Sequence, residues 1–337
     1  MAFSSASSGQ RPTPLQSRTT KLTRFREERI ADSEVIYTGV PLDTQPACHW
    51  YRNGREDILV FSDNNVTGSD DDAATISSSS EADADTKTTE APTAAVLSMV
   101  CMLRAEGFWF IPNAGFTGSS GYNRQFIDAE SRFFSDKLSA VGVAPDNIAL
   151  PETATFTNDF DEVQKNIKIL QDLVGIPDVA NKGFVLPGAV PAFKFKHTLF
   201  EKKSGTVDDD SENDELLASW PRTNDAVAKA LDDLQEQKPA QYKICPLPAY
   251  DCHSALIEPM MYRQRLEGAV VEIRFTLSHW PISAKGKEKS ASNAYRANIV
   301  DVLVLCPPPP TVVTPRKRKV SAYHPSSPTK KRAVTST

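Results

Sequence analysis

Long apolar runs are missing from this sequence, and so is a dense set of cysteines. No stretch is apolar for the roughly 20 residues that a membrane-crossing helix needs, which speaks against a membrane partner. The start, MAFSSASSGQRP, lacks the apolar core by which a signal peptide engages the secretion machinery. A nucleo-cytoplasmic location is therefore expected. Five cysteines, Cys48, Cys101, Cys245, Cys252 and Cys306, are odd in number and far apart. A disulfide scaffold shows an even, dense set, so free and mostly buried thiols are expected instead.

Catalytic signatures are absent too. The sequence holds no G-x-S-x-G elbow, no G-x-x-x-x-G-K-[ST] phosphate loop and no H-E-x-x-H pair. Cys48-His49-Trp50 has no third partner nearby, and adjacent residues of an extended chain point opposite ways. Cys245, Cys252 and His253, with His279 further on, lack the paired C-x-x-C spacing that pre-organises half a zinc tetrahedron. The glycine-rich GFTGSSGY, residues 115–122, reads as a plain loop rather than a phosphate cradle. Neither a metal nor a cofactor is expected, and an enzyme ranks third among the functional readings.

What the sequence does have is 40% hydrophobic residues in a chain of 337, enough for a core. They are unevenly spread. Residues 1–29 are rich in Ser, Thr and Arg and read as a mobile basic arm. Residues 64–93 and 204–215 are acidic and poor in large apolar side chains, and read as disordered insertions, because little buried area offsets the entropy of ordering them. A single α+β domain is expected over 30–306. Beyond it, PPPP favours an extended stalk, and 307–337 reads as a disordered, proline-rich basic tail.

Inside the domain, EVIYTGVPL and DILVFSD read as strands, with a loop, DTQPACHWYRNGRE, between them. AVLSMVCMLRAEGFWFIPN reads as a buried hairpin, although its first half also fits a short buried helix. In NRQFIDAESRFFSDKLSAVG the residues Phe126, Ile127, Phe133, Phe134, Leu138 and Val141 recur at helical spacing, with Gly142 as the stop. NDFDEVQKNIKILQDLVG repeats that pattern through Phe160, Val163, Ile167, Leu170 and Val174. GFVLPGAVPAFKFKHTLFEKK reads as extended structure broken by prolines, and NDAVAKALDDLQEQ as a third helix. In GAVVEIRFTLSHW, Ala269, Val271, Ile273, Phe275 and Leu277 alternate with Val270, Glu272, Arg274, Thr276 and Ser278, so one face should be buried and the other wet. YRANIVDVLVL supplies its partner strand across a polar hairpin loop.

The wet face would carry Arg274 and Arg296, with Lys285, Lys287 and Lys289 in the loop and Trp280 and Tyr295 near its mouth. Cations that track a backbone beside rings on which bases stack are the equipment of single-strand binders. LEGAVVEIRFTLSHW, followed by a polar loop and NAYRANIVDVLVL, resembles the closing strands of phage-type single-stranded DNA-binding proteins with an OB-fold. The longer stretch from LPAYDCHSALIEPMM through VLVLCPPPP is similar to a group of uncharacterised proteins of mushroom-forming fungi. The first resemblance implies a mostly antiparallel, OB-like β core covered by two or three helices, base stacking and no catalysis. Charge argues the other way: without its basic ends and acidic insertions the core is near neutral or slightly acidic, while nucleic-acid affinity rests on phosphate neutralisation.

The basic end of this acidic protein, with net charge -5, has its own explanation. Pro315, Arg316, Lys317, Arg318, Lys319 and Val320 resemble a monopartite nuclear localisation signal, which implies a nuclear import receptor as partner. Thr314 and Ser327 each open an S/T-P-x-K/R pattern, where a phosphate would weaken attraction to an acidic receptor groove. The leading expectation is a nuclear, non-enzymatic nucleic-acid-binding protein, most of all for single-stranded DNA. The alternative is a nuclear interaction or scaffold protein. Oligomeric state stays open.

Overall fold

The computed structural model describes residues 13–62, 92–118, 133–135, 137–203, 210–236, 242–284 and 290–310. The sequence 63–91, Lys285, Lys287, Lys289, the whole of the nuclear signal, Thr314 and Ser327 lie outside them.

Helices α1 (Pro14–Ile30), α2 (Ala154–Asp172), α3 (Asp210–Ser219), α4 (Asp225–Glu236) and α5 (Tyr262–Leu266) surround a mainly antiparallel sheet. The principal strands are β1 (Ile36–Tyr37), β2 (Cys48–Asn53), β3 (Glu56–Phe61), β4 (Leu97–Leu103) and β5 (Lys137–Val143). They are followed by the short β6 (Ala180–Lys182) and β7 (Val185–Leu186), then β8 (Ala192–Thr198) and β9 (Phe200–Lys202). After β10 (Tyr242–Ile244) and β11 (Ala249–Tyr250) come the long partners β12 (Val270–Ile282) and β13 (Ser292–Cys306).

Five of these strands pair in a circuit that returns to its start. β4 pairs antiparallel with β5, β5 antiparallel with β8, β8 parallel with β13, β13 antiparallel with β12, and β12 antiparallel with β4. Beyond Phe275 the β12–β13 hairpin continues past β4, and β3 and then β2 pair alongside it.

The reason lies in the side-chain period of two. Leu97, Met99, Cys101, Leu138, Ala140, Phe193, Phe195, Phe275, Leu277 and Ala297 alternate along their strands and share one core. The stripe Phe160, Val163, Ile167 and Leu170 of α2 closes on that core, with the rings of Phe160 and Phe193 5.6 Å apart. Each of these large side chains contributes roughly 1.5–3 kcal/mol by leaving water.

Several expectations need correction. The arm is, from Pro14 onward, helix α1, opened by a capping box between Thr13 and Gln16 with proline in the first turn. Leu22 and Phe25 pack it onto Tyr37 and Phe156, so it is part of the fold. Leu138, Val141 and Gly142 belong to strand β5 rather than to a helix, Phe133 and Phe134 lie in a helical turn, and Phe126 and Ile127 lie outside the described residues. Gly142 stops nothing; a Cβ there would sit 2.5 Å from Cys101 Sγ, so glycine allows β5 to approach β4. The expected loop 43–56 contains β2. The second acidic insertion ends in α3, where buried Asn213 accepts the Ile244 N–H at 2.9 Å. In the expected hairpin AVLSMVCMLRAEGFWFIPN the first half is strand β4 and the second is not a strand.

Candidate nucleic-acid interface

The outward side of the five-strand circuit is divided in two. One half is covered. Glu272, expected on a wet face, is 1% exposed because α1 crosses it: Arg29 Nε donates to Glu272 Oε1 at 2.6 Å, and Ser98 Oγ donates to the same oxygen at 2.6 Å. Arg274, the first of the expected nucleic-acid contacts, is held by both oxygens of Asp301, which raises its pKa. Its charge is spent within the fold.

The other half is open, and register places its residues. Ser139 of β5 is opposite Lys196 of β8, Lys196 opposite Asn298 of β13, and Asn298 opposite Thr276 of β12, so all four point outward. By the same alternation Lys137, Lys194, Arg296, Ser278 and Trp280 share that side. Lys137, Lys194, Lys196 and Arg296 are half-buried, and among the described residues none of them is in an ion pair.

These cations feel one another. Burial and then repulsion from Arg296 and Lys196 push the Lys137 ammonium down to about 8, while Glu56 and Glu201 oppose this more weakly. Burial, Lys194 and Arg296 lower Lys196 in the same direction. The Arg296 guanidinium lies 4.7 Å above the centre of the Trp280 ring, where the ring face attracts it. Such a group of uncompensated cations on a surface favours any polyanion that spreads across it.

A further ring stands at the margin of this surface. The Trp109 N–H donates to Ser139 O at 2.7 Å, which sets residue 109 alongside β5. Phe108 and Phe110 turn inward, and Trp109 is left 47% exposed. Gly115, at φ +81, lies under its ring; a Cβ there would be 3.0 Å from two ring carbons.

Of the expected site residues, the structure brings together Trp280 and Arg296. Arg274 is diverted to Asp301. Tyr295 is on the opposite, inward side: it is buried, its hydroxyl donates to Gln171 O at 2.8 Å, and burial pushes it up to about 12. It cannot stack on a base without leaving the core. Lys137, Lys194, Lys196 and Trp109 were missed, although AFKFKHT shows the signal for two of them in its strict alternation of Phe and Lys.

The candidates for other chemistry are dispersed. His279 is buried between Asp57 and Asn293, and Cys252 is exposed. Among the described residues no group of three or more His, Cys, Asp or Glu is placed to hold a metal ion. His49 and Trp50 point to opposite sides of β2, with His49 Nδ1 3.1 Å from Ser62 Oγ and Trp50 Nε1 donating to Leu170 O.

No protein-family profile and no curated protein matches the sequence. Among solved structures, the chain is similar to gp2.5, a single-stranded DNA binding protein encoded by bacteriophage T7. Identity is 9% and the TM-score 0.29, over 65% of this chain and 96% of that one. No helix among the described residues is long and apolar enough to cross a membrane.

Proposed function

We propose that this protein binds single-stranded nucleic acid, without catalysis, on the outward surface of β5, β8 and β13. The observation that carries the reading is the set of four half-buried cations, Lys137, Lys194, Lys196 and Arg296, that have no ion-pair partner among the described residues. Within the fold Arg296 lies over the Trp280 ring, and no carboxylate among the described residues pairs with any of the four. A phosphate backbone would neutralise them, and Trp109 and Trp280 offer ring faces within the same surface.

The order of strand pairing supports an OB-like reading of the core. In such folds the second and third strands of a five-stranded circuit, with the loop joining the fourth and fifth, form the binding surface. Here those strands are β5 and β8, and the connection after β12 holds Lys285, Lys287 and Lys289. Residues 315–320 would deliver the protein to the nucleus through an import receptor, and phosphate on Thr314 or Ser327 would slow that delivery.

The test is fluorescence anisotropy of a labelled oligothymidine with the full chain at two salt concentrations. The variant Lys194→Glu/Lys196→Glu/Arg296→Glu leaves both basic ends intact. It should lower affinity at least roughly tenfold and flatten the dependence of log affinity on log salt by about 1–3. Equal binding by the variant would assign all affinity to the ends and leave a nuclear interaction protein.

A further inference from the structure

A cleft of about 820 Å³ separates α2 from the β6–β7 segment. Pockets of roughly 300–1,000 Å³ hold small organic ligands. Its apolar side is Val185, Leu186, Pro187, Pro191 and Phe193. Lys165 and Lys168 of α2 line one rim and Lys182 of β6 the other, the last in register with Ala294, so that its side chain shares the side of Arg296 and Trp280. Lys165 and Lys168 each make an exposed pair along their own helix, with Glu162 and Asp172. Lys182 has no ion pair among the described residues.

The wall of the cleft also contains an unused hydrogen-bond donor. Gln171 is 4% exposed, and its Nε2 has no partner. A chain of amides fixes which of its terminal atoms is the nitrogen. Asn293 Oδ1 accepts the Ile176 N–H at 3.0 Å, so Asn293 Nδ2 is the donor to Ile176 O at 3.1 Å and to Asn181 Oδ1 at 3.1 Å. Asn181 must then present its Nδ2 to Gln171, whose Oε1 accepts it at 3.4 Å. The remaining terminal atom of Gln171 is a buried donor that nothing in the protein satisfies, an arrangement that costs free energy unless an acceptor arrives.

We infer that this cleft binds a small amphipathic organic acid. Its apolar body would lie on Val185, Leu186 and Phe193, an oxygen would accept from Gln171 Nε2, and its anionic group would face Lys165 and Lys168. The inference is separate from nucleic-acid binding, since Lys165, Lys168 and Gln171 belong to α2 and not to the outward surface of β5, β8 and β13.

The probe is anilinonaphthalene sulfonate, an amphipathic anion whose fluorescence reports an apolar site, titrated into the full-length protein. Saturable binding to one site is expected, with displacement by dodecanoate and none by dodecylammonium. Lys168→Glu, at an exposed rim, should weaken the dye roughly tenfold at an unchanged thermal midpoint. Gln171→Glu retains the acceptor for Asn181 and replaces the donor by a carboxylate oxygen, and should weaken it similarly. Should Gln171→Glu unfold the protein, Lys168→Glu decides. Binding that does not saturate, or that Lys168→Glu leaves unchanged, overturns the inference. So does displacement by thymidine monophosphate with none by dodecanoate, because the cleft would then belong to the nucleic-acid path.

Discussion

Arg29 Nε lies 2.6 Å from Glu272 Oε1, and the pair joins α1 to the start of β12. A second clamp stands beside it: Arg26 donates to both oxygens of Asp159, at 2.7 and 2.8 Å, and Tyr37 OH donates to the same carboxylate at 2.8 Å. Arg29→Ala leaves a carboxylate that is 1% exposed without its cation. Denaturant unfolding should show a loss of about 3–5 kcal/mol. Arg29→Met combined with Glu272→Gln should recover much of it, because the uncompensated charge is then gone.

Asp57 accepts from Arg52 Nη1 at 2.8 and 2.9 Å, and lies 2.8 Å from His279 Nδ1. Burial raises the carboxyl's pKa, but the bonds from Arg52 and His279 outweigh it, and the net shift is downward. A carboxyl depressed on folding stabilises above its unfolded value of about 3.9, and that stability is lost as pH falls through the lower folded value. The urea midpoint should therefore fall more steeply below about pH 4 in the parent than in Asp57→Asn. Parallel curves would remove Asp57 from the acid limb.

Lys137 predicts an alkaline effect with the same sign of slope. Its folded pKa, about 8, lies below its ordinary 10.5, so between these values the unfolded chain holds more protons. Stability from this residue should rise with pH across that window, as the cost of the buried charge is relieved. Nucleic-acid affinity should fall over the same window, since a phosphate favours the charged form. Anisotropy titrations from pH 7 to pH 9.5 should show a decline of up to about tenfold per pH unit above 8 from this one group. Lys137→Arg should decline less steeply, with Lys196 still titrating, and a parent no steeper than this variant would exclude Lys137 from the contact.

Gly142 is fixed by the crossing of β5 over Cys101. Gly142→Ala places its Cβ 2.5 Å from Cys101 Sγ and 3.0 Å from the Phe195 ring. Thermal unfolding should reveal a loss of roughly 1–3 kcal/mol from overpacking. Cys101→Ala in the same chain should restore part of it. Absence of rescue would mean that the backbone, and not the thiol, sets the limit.

The best-read parts of the sequence were those whose environment is set locally. The stripe of α2 and the Val227, Ala230, Leu231 and Leu234 face of α4 repeat at helical spacing and are buried as that spacing implies. The β12–β13 hairpin alternates in its sequence and in its pairing. Misreadings arose where a distant segment changes the environment. Nothing near Glu272 announces that Arg29 will cover it. Tyr295 and Arg296 are neighbours in one strand, so the period of two sets them on opposite sides, and only the end of α2 above Tyr295 decides which side is covered. KLSAVGV fits two periods, and its strand form depends on β4 and β8 on either side. The missed helix is different in kind: Thr13, Pro14 and Gln16 carry a capping signal, obscured by arginines whose partners lie far along the chain.

Those separations also set an order of events. Arg26 meets a carboxylate 133 residues later and Arg29 one 243 residues later. At roughly 5–20 residues per second of synthesis, helix α1 leaves the ribosome tens of seconds before β12 exists to receive it. Leu22 and Phe25 can settle on Tyr37 and Phe156, and Arg26 on Asp159, well before that, while Arg29 waits for Glu272. A nascent chain halted before residue 272 should hold α1 by those earlier contacts alone, and its helix amides should exchange faster than in the full chain.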